Sequence, residues 1–191
     1  MSKTTSKKRG MLADRVARAP QHGELVDPGV HVFVDDQNLF WGITNDVFGK
    51  GFRIDFGRLL LEAAKGPDGR ARPVRKAYIA GVIPDDDYFW EVAKNQGFIV
   101  KRGYLGTGNR SKQDDAYLIT EIVSTVYEER GPATIVLVAG DADYKPPLER
   151  IVEKGWRAEV AFIGHSVSIA LEAVTHEFRE IYPPTIQKHQ M

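Results

Sequence analysis

The stretch Ile135-Val136-Leu137-Val138-Ala139-Gly140-Asp141-Ala142-Asp143-Tyr144 decides how this chain folds. Its unbroken apolar run, rich in β-branched residues, predicts a strand buried on both faces, as in a parallel sheet. Gly140 then permits a tight turn, and Asp141 and Asp143 follow it. Open α/β folds bind ligands outside the carboxyl ends of their strands, so these carboxylates stand where a site is expected. Turn and cap chemistry is the alternative, because Asp143 could cap the helix that two following prolines open.

Strand and helix patterns alternate along the rest of the chain. This alternation predicts an α/β fold with a central parallel sheet that helices cover on both faces. The other predicted strands are Val30 to Asp35, Val74 to Val82, one starting at Phe98 to Val100, Trp156 to Ile163, and a small edge strand from Phe178 to Tyr182. The predicted helices are Ile54 to Ala64, Pro84 to Gln96, Lys112 to Arg130, Pro146 to Lys154 and Ser166 to Val174.

Length and composition are those of one globular domain with tails. The chain has 191 residues, of which 42% are hydrophobic and 27% charged, and its formal net charge is zero. We expect a basic, flexible tail and linker over residues 1–29, the domain over 30–182, and a short tail over 183–191. The absence of cysteine excludes disulfides and thiolate chemistry. No apolar run is long enough to span a bilayer and no signal-peptide pattern follows the basic residues, so we expect a cytoplasmic protein.

Acidic residues follow three of the predicted strands. Asp35 ends the first strand, Asp114 and Asp115 open the helix after the third, and Asp141 and Asp143 follow the fourth. Strand ends and the starts of the following helices share one edge of a parallel sheet, so all five carboxylates can approach one crevice. Asp115 is the better candidate of its pair, because it shares a helical face with the apolar Leu118, Ile119 and Ile122.

Crowded carboxylates repel one another and need compensating charge. Hard divalent cations with oxygen ligands supply that charge, and Mg²⁺ or Mn²⁺ suits a site that also receives phosphate. Such an ion activates water and neutralises charge that develops on a phosphoryl group. The pattern therefore indicates metal-dependent phosphoryl chemistry, while a cap or turn role stays open for each aspartate taken separately. A phosphatase of the aspartyl-phosphate type is disfavoured, because its Asp-x-Asp would follow the first strand rather than the fourth.

Three blocks of the sequence resemble the NYN domain, LabA-like branch, of the PIN-like nuclease superfamily. They are Val32 to Leu39, Lys112 to Asp115, and Leu137 to Tyr144, within a likeness that runs from about Val30 to Tyr182. The resemblance implies a three-layer α/β/α domain and a metal-dependent ribonuclease that hydrolyses RNA phosphodiester bonds. It also implies that the acids of the site, which would be catalytic and hold the metal, are Asp35, Asp115, Asp141 and Asp143, with Asn38 as an accompanying polar residue.

The chain departs from the family pattern at three positions. Ala139 stands where the family usually has Ser, Tyr144 replaces a usual Phe, and His176 stands where an Asp is common. A non-catalytic RNA-binding or scaffolding module that kept the acidic pocket is the alternative function, since the same acids would be present in both. Metal-dependent cleavage that a single Asp→Asn change abolishes would separate the two.

A neutral chain with an acidic pocket needs local basic residues to gather RNA. Arg110, Lys112 and Lys145 lie beside the acidic blocks and are expected to contact phosphates. Trp41 and Tyr104, expected on loops at the same edge, could stack on the bases of single-stranded RNA. Solvated cations and a buried Trp41 are the alternative. Homo-oligomerisation, the RNA sequence cut and the choice between endo- and exonuclease action stay open.

Overall fold

In a computed structural model, the chain is described over residues 29–45, 51–82, 87–103 and 114–188. Six parallel strands form one central sheet in the order β3-β2-β1-β4-β5-β6. Their bounds are β1 Val30–Asp35, β2 Val74–Gly81, β3 Ile99–Arg102, β4 Thr134–Val138, β5 Arg157–Phe162 and β6 Glu177–Glu180. The parallel sheet predicted from the alternating pattern is confirmed.

Six α-helices surround this sheet in the described part of the chain. Their bounds are α1 Asp36–Thr44, α2 Phe56–Ala64, α3 Asp87–Asn95, α4 Asp114–Glu128, α5 Lys145–Glu153 and α6 Ile169–Glu172. Every residue of β1 and of β4 is buried, so both faces of the central strands are covered. This burial explains why β4 is an almost continuous apolar run rather than an alternating one, while β1 also buries His31 and Asp35.

Helix α4 follows the predicted helical pattern closely. Its buried stripe consists of Leu118, Ile122 and Val126, and it packs on β1 and β2. Tyr117, beside Leu118 in sequence, lies off this stripe and is 40% exposed. Because α4 starts at the carboxyl end of the sheet, its first turn lies at the edge where β1 also ends.

Helix α1 was not predicted. It begins directly after β1, because the Asp35 side chain accepts a hydrogen bond from Asn38 N at 2.9 Å and so caps the new helix. Its buried positions Asp36, Leu39 and Ile43 recur every three or four residues, which is the spacing of one helical face. The chain therefore turns from strand to helix within one residue.

The helix predicted from Ser166 to Val174 is wrong in its first half. A 3-10 turn, Gly164–Ser166, comes first, and α6 begins only at Ile169 after two extended residues. Ser168 ends the extended segment by accepting a hydrogen bond from Ala170 N, which starts α6. On α3, Tyr88 is 74% exposed, whereas Trp90, two residues further along, is fully buried.

Candidate active site

Asp35 is the innermost acid at the carboxyl edge of the sheet. It is only 3% exposed, and both of its carboxylate oxygens accept hydrogen bonds. Oδ1 accepts from Asn38 N at 2.9 Å, and Oδ2 accepts from the Tyr144 hydroxyl at 2.9 Å. A buried carboxylate needs such donors, because an unpaired charge is costly away from water. The two bonds fix the direction in which Asp35 points.

Asp115 reaches the same hydroxyl from a different element. It is the second residue of α4 and is exposed, and its Oδ1 lies 3.5 Å from the Tyr144 hydroxyl oxygen. Two carboxylates that are 80 positions apart in sequence therefore meet at one buried phenol. The side chain of Asp114, the other acid of this pair, lies outside the described residues.

Asp141 and Asp143 occupy a 3-10 turn between β4 and α5. Both are exposed, and Asp141 Oδ1 accepts a hydrogen bond from Asp143 N at 3.0 Å. Asp141 therefore caps this turn, while Tyr144, the residue before α5, makes no side-chain cap bond. The cap role predicted for Asp143 therefore belongs to Asp141. Asp143 does not cap α5, because Tyr144 precedes that helix and Pro146 and Pro147 lie in its first turn.

Asn38 links the turn after β4 to the end of β1. Its Oδ1 accepts a hydrogen bond from Gly140 N at 2.7 Å. Gly140 itself is tightly enclosed, since a Cβ there would lie 2.7 Å from the Phe162 ring. The glycine thus lets the turn after β4 pass close to the Phe162 ring and the Ser166 carbonyl, and its N–H is satisfied by the Asn38 side chain.

The carboxylates at this edge are few for an all-protein metal site. Within residues 29–45, 51–82, 87–103 and 114–188, no three Asp, Glu, His or Cys side chains lie close enough together to hold one metal ion. Mg²⁺, however, is usually bound by one or two carboxylates together with waters and substrate phosphates. Asp35 and Asp115, which meet at one hydroxyl, satisfy that smaller requirement with hard oxygen donors.

The predicted RNA-binding residues are only partly described. Trp41 lies on α1 rather than on a loop, because the Asp35 cap starts a helix there. Its side chain is 52% exposed and lies edge-on to Phe40 with 5.4 Å between ring centroids, so Trp41 is not a core residue. Lys145, the first residue of α5, is half-buried and lies 3.6 Å from Glu149. Tyr104, Arg110 and Lys112 lie outside the described residues.

A family comparison decides what kind of domain this is. The sequence model of the NYN domain matches residues 29–182. The chain belongs to the NYN domain family. This is a family of PIN-like nuclease domains, in agreement with the central parallel sheet and the acids at its carboxyl edge.

Other comparisons add information on the fold alone. A crystal structure of a protein of unknown function from Vibrio parahaemolyticus is similar to this NYN chain, with a TM-score of 0.66 and 17% sequence identity. The similarity covers 84% of this chain and 96% of the Vibrio protein. The search of curated proteins found no match. Among the described residues of the NYN chain, no helix combines the length and apolar character needed to cross a membrane.

Sequence reasoning missed two residues at the NYN site. Asp36 is only 5% exposed, and a Cβ on Gly81 would lie 2.8 Å from its Cβ, so a glycine at the end of β2 makes room for it. Tyr144 stands where the family usually has Phe, and the two carboxylates at its hydroxyl are far from it in sequence. The signal available for Tyr144 was a polar atom at a position where the pattern calls for an apolar ring.

Two buried groups with strongly shifted pKa values lie elsewhere in the sheet. Burial lowers the pKa of His31, the second residue of β1, to about 4, although Glu129 opposes the shift. Burial would raise the pKa of Glu159 in β5, but hydrogen bonds from three arginines outweigh it and hold the value at about 2. These arginines are Arg72, Arg157 and Arg179, each with a nitrogen 2.6 Å from a Glu159 oxygen.

Proposed function

We propose that this NYN domain is a metal-dependent ribonuclease whose acids at the carboxyl edge of the sheet hold Mg²⁺ or Mn²⁺. The observation that carries the proposal is the meeting of Asp35 and Asp115 at the Tyr144 hydroxyl, at 2.9 and 3.5 Å. The two acids come from the end of β1 and the start of α4, where a parallel sheet presents its ligand-binding edge.

In this proposal Asp35 and Asp115 are the inner ligands. Asp141 and Asp143 lie on the exposed turn after β4; among the described residues they are not grouped closely enough with these two acids to share one ion, so we propose that they join the ligand set only when cation and RNA are bound. When bound, the cation activates a water and neutralises charge on the phosphoryl group that is being transferred. Asn38 holds the β4 turn against α1 through Gly140 N, so it keeps the acids of the two strands in register.

RNA is the proposed substrate, approached over the rim of this edge. Lys145 stands directly after the acidic turn, and Arg110 and Lys112 precede Asp115 in the sequence, so all three are proposed phosphate contacts. The exposed Trp41 ring on α1 and Tyr104 are proposed to stack on unpaired bases, which is worth about 1–3 kcal/mol per base. Single-stranded RNA presents such bases and is therefore the expected substrate form.

Chelation and readdition of metal test this function. Purified protein is incubated with end-labelled single-stranded RNA in EDTA, and then with Mg²⁺ or Mn²⁺ restored. Cleavage that stops in EDTA and returns with the metal is the expected result. Cleavage that continues unchanged in EDTA would exclude the proposed chemistry.

A non-catalytic RNA-binding module is the second candidate, favoured by the capping role of Asp141 and by the lack of a three-acid metal group among the described residues. In that case RNA would bind without being cut at any metal concentration. Both candidates predict that Lys145→Ala weakens RNA binding and makes its salt dependence shallower. Lys94→Ala is the matched control, because Lys94 is also paired with a glutamate within its own helix but lies on α3.

A further inference from the structure

Tyr144 places a phenol hydroxyl inside the core at the acidic edge. Its side chain is 1% exposed, and it lies at the end of the 3-10 turn that follows β4. Buried hydroxyls are almost always hydrogen-bonded, because leaving one unpaired costs stability. The partner here is a charged one, Asp35 Oδ2 at 2.9 Å. A hydrogen bond to an ionised group is stronger than one between neutral groups.

The hydroxyl completes the support of Asp35. The other carboxylate oxygen of Asp35 accepts from Asn38 N at the start of α1. Asp35 is therefore held from two sides, by the backbone of the helix that it caps and by a ring anchored at the end of β4. Carboxylates that ligate metals are commonly fixed by outer hydrogen bonds of this kind, and their loss typically weakens metal binding about 10- to 100-fold.

The same hydroxyl also relates Asp115 to Asp35. Asp115 Oδ1 lies 3.5 Å from it, so two like charges from separate elements face one polar hydrogen. Ionised carboxylates at this proximity repel each other, and a donor between them offsets part of the repulsion. With a phenylalanine at position 144, the ring could still fill the core, but Asp35 would lose its hydroxyl donor and Asp115 would lose the polar contact at 3.5 Å.

We propose that Tyr144 is a positioning residue for the divalent cation. Its hydroxyl fixes the orientation of Asp35 and keeps Asp115 beside it before the cation arrives. The inference rests on the proposed function, because it assigns Asp35 and Asp115 as ligands. It goes beyond that function by giving a role to a residue that does not itself ligate the metal or contact RNA.

The test compares Tyr144→Phe with Tyr78→Phe. Tyr78 is also a buried tyrosine. It lies on β2, where its ring stacks on the Phe33 ring with 5.1 Å between the ring centroids. Titration calorimetry measures Mn²⁺ affinity of the full chain without RNA, and chemical denaturation in EDTA measures stability. We expect Tyr144→Phe to bind Mn²⁺ about 10- to 100-fold more weakly than wild type, and Tyr78→Phe to bind it normally.

A second readout separates positioning from chemistry. Because the ligands remain present in Tyr144→Phe, saturating Mn²⁺ should restore most of the RNA-cleavage rate. Unchanged Mn²⁺ affinity in Tyr144→Phe, with or without lost stability, would overturn the positioning role while leaving the nuclease proposal intact. Wild-type protein that neither binds Mn²⁺ nor cleaves RNA would overturn the proposed function, and the role of Tyr144 with it.

Discussion

At the scale of single residues, Asp141 has a structural role as a cap and a proposed catalytic role as a metal ligand. Its Oδ1 accepts the Asp143 N–H at 3.0 Å, which caps the turn after β4. Asparagine caps about as well as aspartate, whereas alanine does not. The charge and the cap can therefore be removed separately.

We expect the metal-free Asp141→Asn variant to have the same free energy of unfolding as wild type. In Asp141→Ala the free energy of unfolding should be lower by about 0.5–2 kcal/mol, because the cap bond is lost. Both variants should lose RNA cleavage, because both remove a negative charge from the proposed ligand set. Urea denaturation in EDTA and the cleavage assay measure the two effects. An Asp141→Asn variant with full cleavage would restrict Asp141 to its capping role.

His31 makes stability depend on pH in a defined window. Burial lowers its folded pKa to about 4, while the unfolded chain titrates near 6.5. The folded state keeps His31 neutral, so its contribution is complete above pH 6.5 and is lost as pH falls toward 4. This shift in the pKa of His31 corresponds to a loss of up to about 3 kcal/mol in the free energy of unfolding at low pH.

Denaturation at pH 7, 5.5 and 4.5 checks this expectation in wild type and in His31→Leu. The variant should lose less stability than wild type over that range, since it has no histidine to protonate there. His165→Leu is the control, because His165 is exposed on the turn before α6. Equal pH slopes for wild type and His31→Leu would show that His31 is not the titrating group.

At the scale of elements, a charged network joins the end of α2 to β5 and β6. Arg72 and Arg179 each bind Glu159, and each also donates to a carbonyl at the end of α2, Ala64 and Ala63. Glu159 is fully buried, so its charge depends on these partners. Removing one member of a buried ion pair leaves uncompensated charge, which costs about 3–5 kcal/mol.

Glu159→Gln should therefore lower the free energy of unfolding by about 3–5 kcal/mol at pH 7. Glu153→Gln, which disrupts an exposed pair with Arg150, should change it by at most about 1 kcal/mol. The folded pKa of Glu159 is depressed, so its contribution is present above pH 4.5 and is lost as pH falls toward about 2. A Glu159→Gln variant as stable as Glu153→Gln would mean that the network does not stabilise the fold.

The strands were predictable from sequence because their apolar runs are local signals. β4, whose five apolar or β-branched residues are followed by Ala139-Gly140, could be located from its composition alone. Helix α1 was missed because its start depends on Asp35 acting as a cap, and that acid was assigned only to the site. The contact between Tyr144 and Asp35 joins residues 109 positions apart, and no local pattern records it.

At the scale of the whole molecule, the order β3-β2-β1-β4-β5-β6 places β1 beside β4 at the centre of the sheet. The acids that follow these two strands therefore lie at the same edge of the sheet, and α4 brings Asp115 to that edge. Asn38 and Tyr144 then cross-link the two strand ends through Gly140 N and Asp35. The proposed site is thus a consequence of strand order together with two side-chain contacts.

Metal-dependent cleavage of single-stranded RNA by Asp115→Asn, compared with wild type, tests this account most directly. Asp115 is exposed at the start of α4, so its replacement should leave the fold intact. Glu153→Gln serves as the control for loss of one acidic charge at the surface. We expect Mn²⁺-dependent cleavage by wild type and Glu153→Gln and none by folded Asp115→Asn. Equal cleavage by folded Asp115→Asn would contradict it.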